Sequence, residues 1–405
     1  MNRRTFIQSL GYSVALPSLA LGAESEADAA IRAKIDTHRP SRLTELPADF
    51  RARVGATHVA GKYHFTNKPY LMEGAEKLIE LGTRLGKFWF MPQGGAHDYP
   101  FNSTWTKAKN FVELAKLDYW EQLFALPFQT ILLEAHAGRG ESLGKDSPPS
   151  FFEGITHDFA ELTTHLYNKF RDRDLTIVLQ HWEGDWLLRG AGEKWNPPSP
   201  GWQKRCERMQ KWLTARQDGV TRARNDFLAE QATRGPAGGP VKCRVVHAAE
   251  VNRVVDAWNG IPTMTTHVLP GVELDLVSYS YYDAMNNPVT LWKAIEEIRR
   301  HARTTGPFGQ KAVFLGEVGI PESEQRERIA ERWDEFLGVA LAMDVPYVVH
   351  WELYCNELNP KLKPAPKPPV KNNRDVRGFF LVRPDGSLSE SGRYLTDLWR
   401  RSLRN

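Results

Sequence analysis

Residues 314–322, which read FLGEVGIPE, decide the fold that we expect for this chain. An apolar run, residues 312–315, leads into the stretch, and its glycines and proline are turn residues that end the run. This order of residues predicts a buried strand that stops at a carboxylate, Glu317, and opens into a loop. In a barrel of parallel strands, the functional side chains lie at strand ends of this kind.

A second stretch, residues 176–186 (TIVLQHWEGDW), has the same order of features. Its apolar run is followed by a carboxylate, Glu183, and then by Gly184. Both glutamates are therefore predicted to follow buried strands closely. We expect the fold to bring Glu183 and Glu317 face to face.

Strand-like and helix-like segments alternate along most of the chain. Eight candidate strands lie near 55–65 and at 83–90, 129–134, 175–182, 242–248, 274–280, 311–317 and 347–351. Helical periodicity covers residues 71–85, 111–126, 151–171, 202–233, 251–258, 291–305, 322–343 and 392–403. This alternation indicates parallel strands joined by helical crossovers. Eight repeats predict an α/β fold, a (β/α)8 TIM barrel with long loops on the C-terminal face of the strands.

The rival architecture is an open, doubly wound sheet. That fold would carry a glycine-rich, phosphate-binding turn after its first strand, and no GxGxxG occurs in the sequence. The closed barrel is therefore the favoured interpretation. A short hairpin with a Pro-Asp-Gly turn is predicted at 377–387, ahead of the last helix.

The amino terminus carries an export pattern. Residues 2–7, NRRTFI, resemble the start of a twin-arginine signal, and an uncharged stretch with Ala-rich candidate cleavage sites follows. We interpret residues 1–30 as a signal peptide and residues 31–405 as one (β/α)8 catalytic domain. The uncharged stretch is too short and too weakly apolar to indicate a stable membrane anchor. The expected location is the bacterial periplasm or the outside of the cell.

Composition narrows the possible partners. The chain is 41% hydrophobic and 25% charged, which is ordinary for a globular domain with a large core. The formal net charge is +4 and the basic residues are dispersed, so no nucleic-acid partner is indicated. A Lys/Pro-rich stretch at 361–369 is interpreted as a solvated spacer, with a clamp for an anionic ligand as the alternative. The three cysteines form no CxxC pair and indicate neither a disulfide framework nor a zinc site, and the oligomeric state stays open.

The two glutamates suit one kind of chemistry. Hydrolysis of a glycosidic bond needs two carboxyl groups on opposite sides of the anomeric carbon, one protonated and one ionised. Glu183 belongs to the fourth candidate strand and Glu317 to the seventh. These strands come from opposite sides of an eight-stranded barrel, so the two side chains are expected to converge over its mouth.

This arrangement resembles the large clan of retaining (β/α)8 glycoside hydrolases, in which an acid/base Glu ends strand four and a nucleophile Glu ends strand seven. The resemblance covers nearly the whole chain after residue 50, without identifying a family of known substrate. It implies that Glu183 is the acid/base and Glu317 the nucleophile. It also implies a carbohydrate substrate, no cofactor and no metal, and carboxyl groups roughly 5 Å apart, as retention requires.

Two further motifs match this clan. Residues 275–282 (DLVSYSYY) resemble its strand six, after which a Tyr hydrogen-bonds the nucleophile. Tyr282 is the implied residue, with Tyr281 close behind. Residues 350–351 match the end of strand eight, which implies that Trp351 forms the floor of the sugar subsite.

Two positions depart from the clan pattern. Lys87 stands in the strand-two segment that usually carries an Arg. Trp182 stands where an Asn normally precedes the acid/base and holds the sugar 2-hydroxyl. Both are candidate substrate-binding residues. With these replacements, how the protein would bind the 2-hydroxyl of the sugar stays open.

Several other residues are candidates by position. His247, at the predicted end of strand five, is either a site histidine or a core histidine. Trp186 is either a platform for sugar stacking or a core residue. Five carboxylates that follow predicted strands are rivals for the catalytic pair and could instead form structural ion pairs: Glu134, Asp185, Glu250, Asp283 and Glu352.

Two other functions remain open. A metal-dependent barrel hydrolase commonly opens with His-x-His after its first strand, and none of the 12 histidines stands in such a pair. Five histidines near strand ends could still converge: His64, His136, His181, His247 and His350. A non-catalytic carbohydrate-binding barrel is the other alternative, and the departures at Lys87 and Trp182 are its support.

Overall fold

The computed structural model describes residues 25–136, 146–190, 195–233, 239–323 and 327–403. Within these ranges eight parallel strands form a closed barrel in chain order, and the last strand pairs with the first. The strands are β1 Val54–His58, β2 Leu85–Phe90, β3 Thr130–Ala135, β4 Thr176–Gln180, β5 Arg244–Val251, β6 Leu276–Ser280, β7 Val313–Val318 and β8 Val348–His350. The predicted TIM barrel is confirmed, and each of the eight predicted strands overlaps an observed one.

Helices surround the barrel and follow most of the predicted segments. The described helices are α1 Glu26–Thr37, α2 Phe50–Arg53, α3 Tyr70–Leu81, α4 Gly95–Asp98, α5 Phe111–Ala115, α6 Asp118–Ala125, α7 Pro149–Phe170, α8 Gly184–Arg189, α9 Trp202–Thr233, α10 Val254–Ala257, α11 Met264–His267, α12 Pro288–His301, α13 Ile329–Ala342 and α14 Glu390–Arg401. Two short strands, Glu273–Leu274 and Arg303–Thr304, pair outside the barrel.

Several predicted boundaries were wrong; the first strand, for example, ends at His58 and not near residue 65. The segment 111–126 divides into α5 and α6, because the backbone is extended at Leu117. The segment 251–258 is helical only in α10, since β5 continues through Val251. Helix α13 begins at Ile329, whereas the predicted helix began at residue 322.

The barrel strands are apolar because helices cover their outer faces while side chains fill the interior. Every residue of β1, β2, β3, β4, β6, β7 and β8 is buried. Parallel strands buried on both faces read as nearly continuous apolar runs, which is the pattern that identified them in the sequence. Helix α14 closes the outer ring, where the Trp399 indole N–H donates to the Val54 carbonyl at 2.9 Å.

Helix α1 precedes the barrel and was not predicted. Ser25 caps its first turn, and Ile35 is completely buried against the outer helices. Asp28 contacts Lys293 of α12 at 2.6 Å. The helix contains only two large apolar residues, so its periodicity is weak. Most of the predicted signal segment, residues 1–24, lies outside the described residues.

The loops after the strands form the rim at the carboxyl end of the barrel. The predicted hairpin is present: the Arg383 N–H donates to the Ser387 carbonyl at 2.8 Å, and Val382 bridges Leu388. Parts of the loops after β3 and β4, residues 137–145 and 191–194, lie outside the described ranges. Among the described residues, no helix combines the length and hydrophobicity needed to cross a bilayer.

Candidate active site

Glu317 reaches the barrel mouth because β7 is irregular beside it. Ser278 and Ser280 of β6 are two residues apart, but their partners Phe314 and Glu317 are three apart, so β7 holds an extra residue. Such β-bulges redirect the side chains that follow them. A Cβ atom on Gly316 would lie 1.8 Å from the Ser278 hydroxyl oxygen, so this close approach requires glycine.

Glu183 lies three residues beyond β4, immediately before α8. Its backbone has φ +43° and ψ +63°, a left-handed conformation that is uncommon outside glycine and often marks functional positions. Its backbone N–H donates to Oε1 of Glu250 at 2.8 Å, which holds this conformation. The residue is 3% exposed, and its Oε2 has no hydrogen-bond partner in the described part of the chain.

One buried cation lies beneath the barrel mouth among three carboxylates. Nζ of Lys87 is 2.9 Å from Glu134, 3.4 Å from Glu317 and 3.5 Å from Glu250. Burial alone would lower the pKa of Lys87. The three carboxylates raise it by more than burial lowers it, so the pKa lies above its ordinary value. Lys87 is therefore charged, and it contacts the predicted nucleophile directly.

The remaining polar groups of this cluster come from the neighbouring strands. Gln180 donates to Glu134 at 2.7 Å and to Glu250 at 3.2 Å, and the Ser278 hydroxyl donates to Glu250 at 2.8 Å. Gln180 and Ser278 were not among the predicted site residues. Each interrupts an apolar strand with a polar residue, and that signal was available. Glu134 and Glu250, considered as rivals for the catalytic pair, instead hold Lys87 and the Glu183 backbone.

Replacing Lys87 with Met is expected to destabilise the fold by about 3 kcal/mol or more near neutral pH, because a broken buried pair leaves an uncompensated charge. Lys87 lowers the pKa of both Glu250 and Glu317, so its loss raises them further above 4.5. A carboxyl group whose folded pKa is raised binds more protons when folded, so stability falls as pH rises above the unfolded value. Urea unfolding at about pH 5 and about pH 8 should show the larger deficit at the higher pH.

The matched control for this experiment is Lys204→Met on α9. Lys204 is exposed, and removing its charge should change stability by no more than about 0.5 kcal/mol at either pH. An equal deficit of the Lys87→Met variant at both pH values would contradict the role of Lys87 as counter-ion.

Three tryptophans line the space next to Glu317. The Trp182 indole N–H donates to Oε2 of Glu317 at 3.0 Å. The ring of Trp182 is nearly parallel to that of Trp351, with centroids 6.5 Å apart, and the ring of Trp89 contacts both, at 6.0 Å and 5.7 Å. The predicted substrate-binding residues Trp182 and Trp351 therefore lie together, and Trp182 also contacts the predicted nucleophile.

The two predicted catalytic carboxyl groups have different surroundings. Burial raises the pKa of Glu183 well above its usual range, and the charges of Glu317 and Glu250 raise it further. Burial also raises the pKa of Glu317, to about 8, but Lys87 and the Trp182 N–H oppose the shift. The charge of Lys87 and the Trp182 N–H therefore favour the ionised form of Glu317, whereas Glu183 has neither contact among the described residues.

Tyr282 follows β6 closely. Burial raises the pKa of its phenol well above the ordinary value, and the negative charges of Glu317 and Glu183 raise it further. Its ring meets that of Phe379 edge-on, with centroids 6.4 Å apart. In the described structure the neutral hydrogen-bond donor to Glu317 is Trp182, whereas the resemblance implied Tyr282.

Two predicted site residues lie on the outer face of the barrel. His247 accepts a hydrogen bond from Nε of Arg216 on α9 at 3.0 Å, so its ring points away from the mouth. The Tyr281 ring packs edge-on against Phe336 of α13, with centroids 5.4 Å apart. Side chains alternate between the two faces of a strand, so His247 and Tyr281 face the helices while Glu250 faces the interior. The structure therefore agrees with the interpretation of His247 as a core histidine and not as a site histidine.

Trp186 lies in α8, the short helix that begins directly after Glu183. Its ring is 5.4 Å from the guanidinium of Arg253, and it is 7% exposed. The neighbouring carboxylate, Asp185, accepts hydrogen bonds from the backbone N–H groups of Asn252, Arg253 and Met264. Both residues therefore attach α8 to the loop after β5, which fits core packing rather than a sugar platform.

The other rival carboxylates also have structural partners. Asp283 accepts from the Tyr279 hydroxyl at 2.6 Å, and Glu352 accepts from the Asn356 backbone N–H at 2.7 Å. Two of the candidate histidines have hydrogen-bond partners: His181 accepts from the Glu250 backbone N–H, and His247 accepts from Arg216 of α9. In the ranges that the structure describes, no group of three or more His, Cys, Asp and Glu side chains is placed to hold a metal ion.

Solved structures with the same architecture exist at low sequence identity. The β-glucuronidase of Bacteroides uniformis matches with a TM-score of 0.50 and 11% identity, over 85% of this chain and 35% of its own. A second structure from that organism, β-glucuronidase 2 covalently bound to cyclophellitol-6-carboxylate aziridine, gives 0.50 and 11% over 86% and 35%. The exo-β-1,4-mannosidase of Opitutaceae bacterium strain TAV5 gives 0.50 and 14% over 87% and 60%.

The shared feature is the fold. Identities this low carry the architecture alone, and function has to be argued from the site. The chain spans about a third of the glucuronidase length and three-fifths of the mannosidase length. No protein-family model matches the sequence, and neither does any curated protein.

Proposed function

We propose that this protein is a glycoside hydrolase that cleaves O-glycosidic bonds of a poly- or oligosaccharide with retention. One observation carries the proposal: a buried carboxyl group just after β4 and another near the end of β7 have different hydrogen-bond and ion-pair partners. Among the described residues Glu183 has no cationic contact, and its burial favours the protonated form, whereas Glu317 contacts Lys87 and the Trp182 N–H. A protonated carboxylic acid beside an ionised carboxylate is the pair that glycoside hydrolysis requires.

The mechanism follows from these two states. Glu183 gives its proton to the glycosidic oxygen while Glu317 attacks the anomeric carbon, so the bond to the leaving alcohol breaks and a glycosyl ester forms. Glu183, now a carboxylate, takes a proton from a water molecule as that water attacks the same carbon. The ester bond breaks, and Glu317 is released as a carboxylate with net retention. The proposed reaction needs no cofactor.

Aromatic side chains around the carboxylates suit a sugar. Trp351, Trp182 and Tyr282 lie at the mouth beside Glu317, where flat apolar faces can stack on pyranose rings. Trp182 donates a hydrogen bond to the proposed nucleophile, Glu317. Because Trp182 directly precedes Glu183, no amide side chain stands at that position to hold a sugar 2-hydroxyl. The known glucuronidases and mannosidase of the same fold make a sugar substrate the natural class to test.

A substrate screen tests this function. Wild type and Glu317→Gln are incubated side by side with a panel of polysaccharides and aryl glycosides, and released reducing ends or aryl alcohols are measured. We expect the wild type to hydrolyse at least one class and the variant to hydrolyse none. Tight glycan binding without turnover by the wild type would contradict hydrolysis and favour the binding barrel.

Replacing Trp182 with Phe is expected to shift the pH profile. The variant keeps an aromatic ring but loses the N–H that lowers the pKa of Glu317, so that pKa rises. The acid limb of kcat/KM reports ionisation of the nucleophile in the free enzyme, and it should move to higher pH by about one unit. In the wild type this limb is already expected above 4.5, because burial raises the pKa of Glu317.

The control for this shift is Trp89→Phe. Trp89 belongs to the same group of indoles and gives Glu317 no hydrogen bond. Its replacement should leave the midpoint of the acid limb in place. A Trp182→Phe profile without a shift, or equal shifts in both variants, would contradict the role of the Trp182 N–H.

We also propose that the amino-terminal segment directs export. The twin-arginine pattern is followed by a candidate cleavage region that ends near residue 30, and α1 begins at Glu26. Cleavage ahead of α1 would leave its contacts with the barrel intact. Replacing Arg3 and Arg4 with Lys should prevent export, and normal export of that variant would contradict the proposal.

A further inference from the structure

The loop that follows β8 forms an open groove on the rim. Its volume is about 490 Å³, and it is lined mainly by residues 362–375. Four of the lining residues are basic and one is acidic: Lys363, Lys367, Lys371, Arg374 and Asp375. The whole chain carries a formal net charge of only +4, so this short segment concentrates positive charge.

The basic side chains of the groove point into solvent. Lys363, Lys367, Lys371 and Arg374 are all exposed, and none of them forms an ion pair with another described residue. Two neighbouring arginines, in contrast, form ion pairs. Arg377 contacts Glu357 at 2.7 Å, and Arg383 in the hairpin contacts Glu322 at 2.7 Å. Unpaired cations along one groove are available for an anionic ligand.

Backbone hydrogen bonds hold the groove in place. The Val370 N–H donates to the Lys62 carbonyl at 2.9 Å, which attaches the middle of the loop to the segment after β1. Asn359 closes the base of the loop, since its side chain donates to the Arg374 carbonyl at 2.8 Å and its N–H donates to Asp375. Four prolines within residues 362–371 restrict the backbone further. A loop fixed in this way displays its charges at a low entropic cost on binding.

The groove and the carboxyl pair lie on the same rim. The loop leaves the barrel just after Trp351 and returns at Phe379, whose ring contacts Tyr282. Burial and the charge of Glu317 are the larger causes of the raised pKa of both Tyr282 and Glu183, and the charge of Glu357, at the base of the loop, adds to them. A chain that occupies the active site can therefore extend along the rim into the groove.

We propose that the groove binds the acidic groups of a polysaccharide substrate, so that the enzyme acts on polyanionic glycans that carry uronate carboxylates or sulfate esters. The inference rests on the proposed glycoside hydrolase function and deepens it by naming the substrate class. Charge complementarity favours an acidic chain over a neutral one. The lining contains no aromatic side chain on which nucleobases could stack, which argues against single-stranded nucleic acid.

Binding is measured in the Glu317→Gln background, so that turnover does not interfere. The probes are matched pairs: polygalacturonate against its methyl ester, and dextran sulfate against dextran, with duplex DNA as a non-glycan polyanion. The groove variant is Lys363→Gln/Lys367→Gln. The control is Lys204→Gln/Lys211→Gln, which removes the same charge from two exposed positions of α9.

We expect an acidic probe to bind more tightly than its neutral partner, with an affinity that falls as salt is added. The groove variant should lose about 3- to 10-fold in that affinity, whereas the α9 control should change by less than about 2-fold. The polygalacturonate and dextran sulfate arms show which acidic group is preferred. Hydrolysis of a small aryl glycoside should not change in the groove variant when Glu317 is intact.

Three results would overturn the inference: equal affinity for acidic and neutral probes, no effect of the groove variant, or DNA binding at least as tight as glycan binding. Because binding is measured without turnover, these results are independent of the catalytic proposal. Acidic-glycan binding that depends on the groove, in a wild type that hydrolyses no glycan, would reject the catalytic proposal and retain the groove.

Discussion

Replacing Glu317 with Gln is expected to lower kcat/KM on the preferred glycoside by on the order of 10⁴-fold or more, the loss typical of removing a nucleophile. The amide has the shape of the carboxylate, and its oxygen still accepts the Trp182 N–H. It cannot form a glycosyl ester, so the first chemical step fails while substrate binding persists. Initial rates and equilibrium binding, measured on the same substrate, separate these two effects.

The matched control is Glu322→Gln, in the loop that follows the same strand. Glu322 pairs with Arg383 at 2.7 Å, so its loss should weaken the loop slightly and keep kcat/KM within about 3-fold of wild type. A Glu317→Gln variant with undiminished activity, or one that fails to bind substrate, would contradict the role of Glu317 as nucleophile.

Replacing Glu183 with Gln is expected to give a loss that depends on the leaving group. Glycosides with a poorly acidic leaving alcohol need the proton of Glu183, so their hydrolysis should slow by about 10²- to 10⁴-fold. A dinitrophenyl glycoside departs without protonation, so formation of its glycosyl ester should slow much less. The measurement is the pre-steady-state rate of aryl alcohol release for both kinds of substrate.

Glu250→Gln is the informative comparison for Glu183. Glu250 holds the Glu183 backbone N–H and contacts Lys87, so its loss should disturb positioning and slow both kinds of substrate alike. A Glu183→Gln variant that also slows both kinds equally would contradict the role of Glu183 as general acid.

The barrel was predictable because its strands are buried on both faces. The apolar runs around Glu183 and Glu317 stand out against polar helices, and counting them gives the strand numbers that pair the two residues. Helix α1 was missed for the opposite reason, since only Ile31 and Ile35 mark its buried side. Local pattern therefore specified the architecture and the relative positions of the carboxylates.

The details of the site depend on which way each side chain points. Glu250 faces the interior, so alternation places His247 on the outside. The predicted strand ended at residue 248, three residues before the end of β5, and therefore did not include Glu250. The bulge in β7 breaks the same alternation at Glu317, and a lone glycine at 316 was its only signal in the sequence. The contact between Trp182 and Glu317 joins the segment after β4 to β7, far apart in the sequence, so no local pattern could predict it.

The most direct test of the Glu183–Glu317 pair is to trap the glycosyl ester. The enzyme is incubated with a 2-deoxy-2-fluoroglycosyl fluoride of the sugar that the screen identifies, and its peptides are mapped by mass spectrometry. We predict one added sugar on Glu317, absent in Glu317→Gln and formed at a normal rate in Glu322→Gln. A label on Glu134, Glu183 or Glu250, or inverted stereochemistry in the product, would contradict the proposed site.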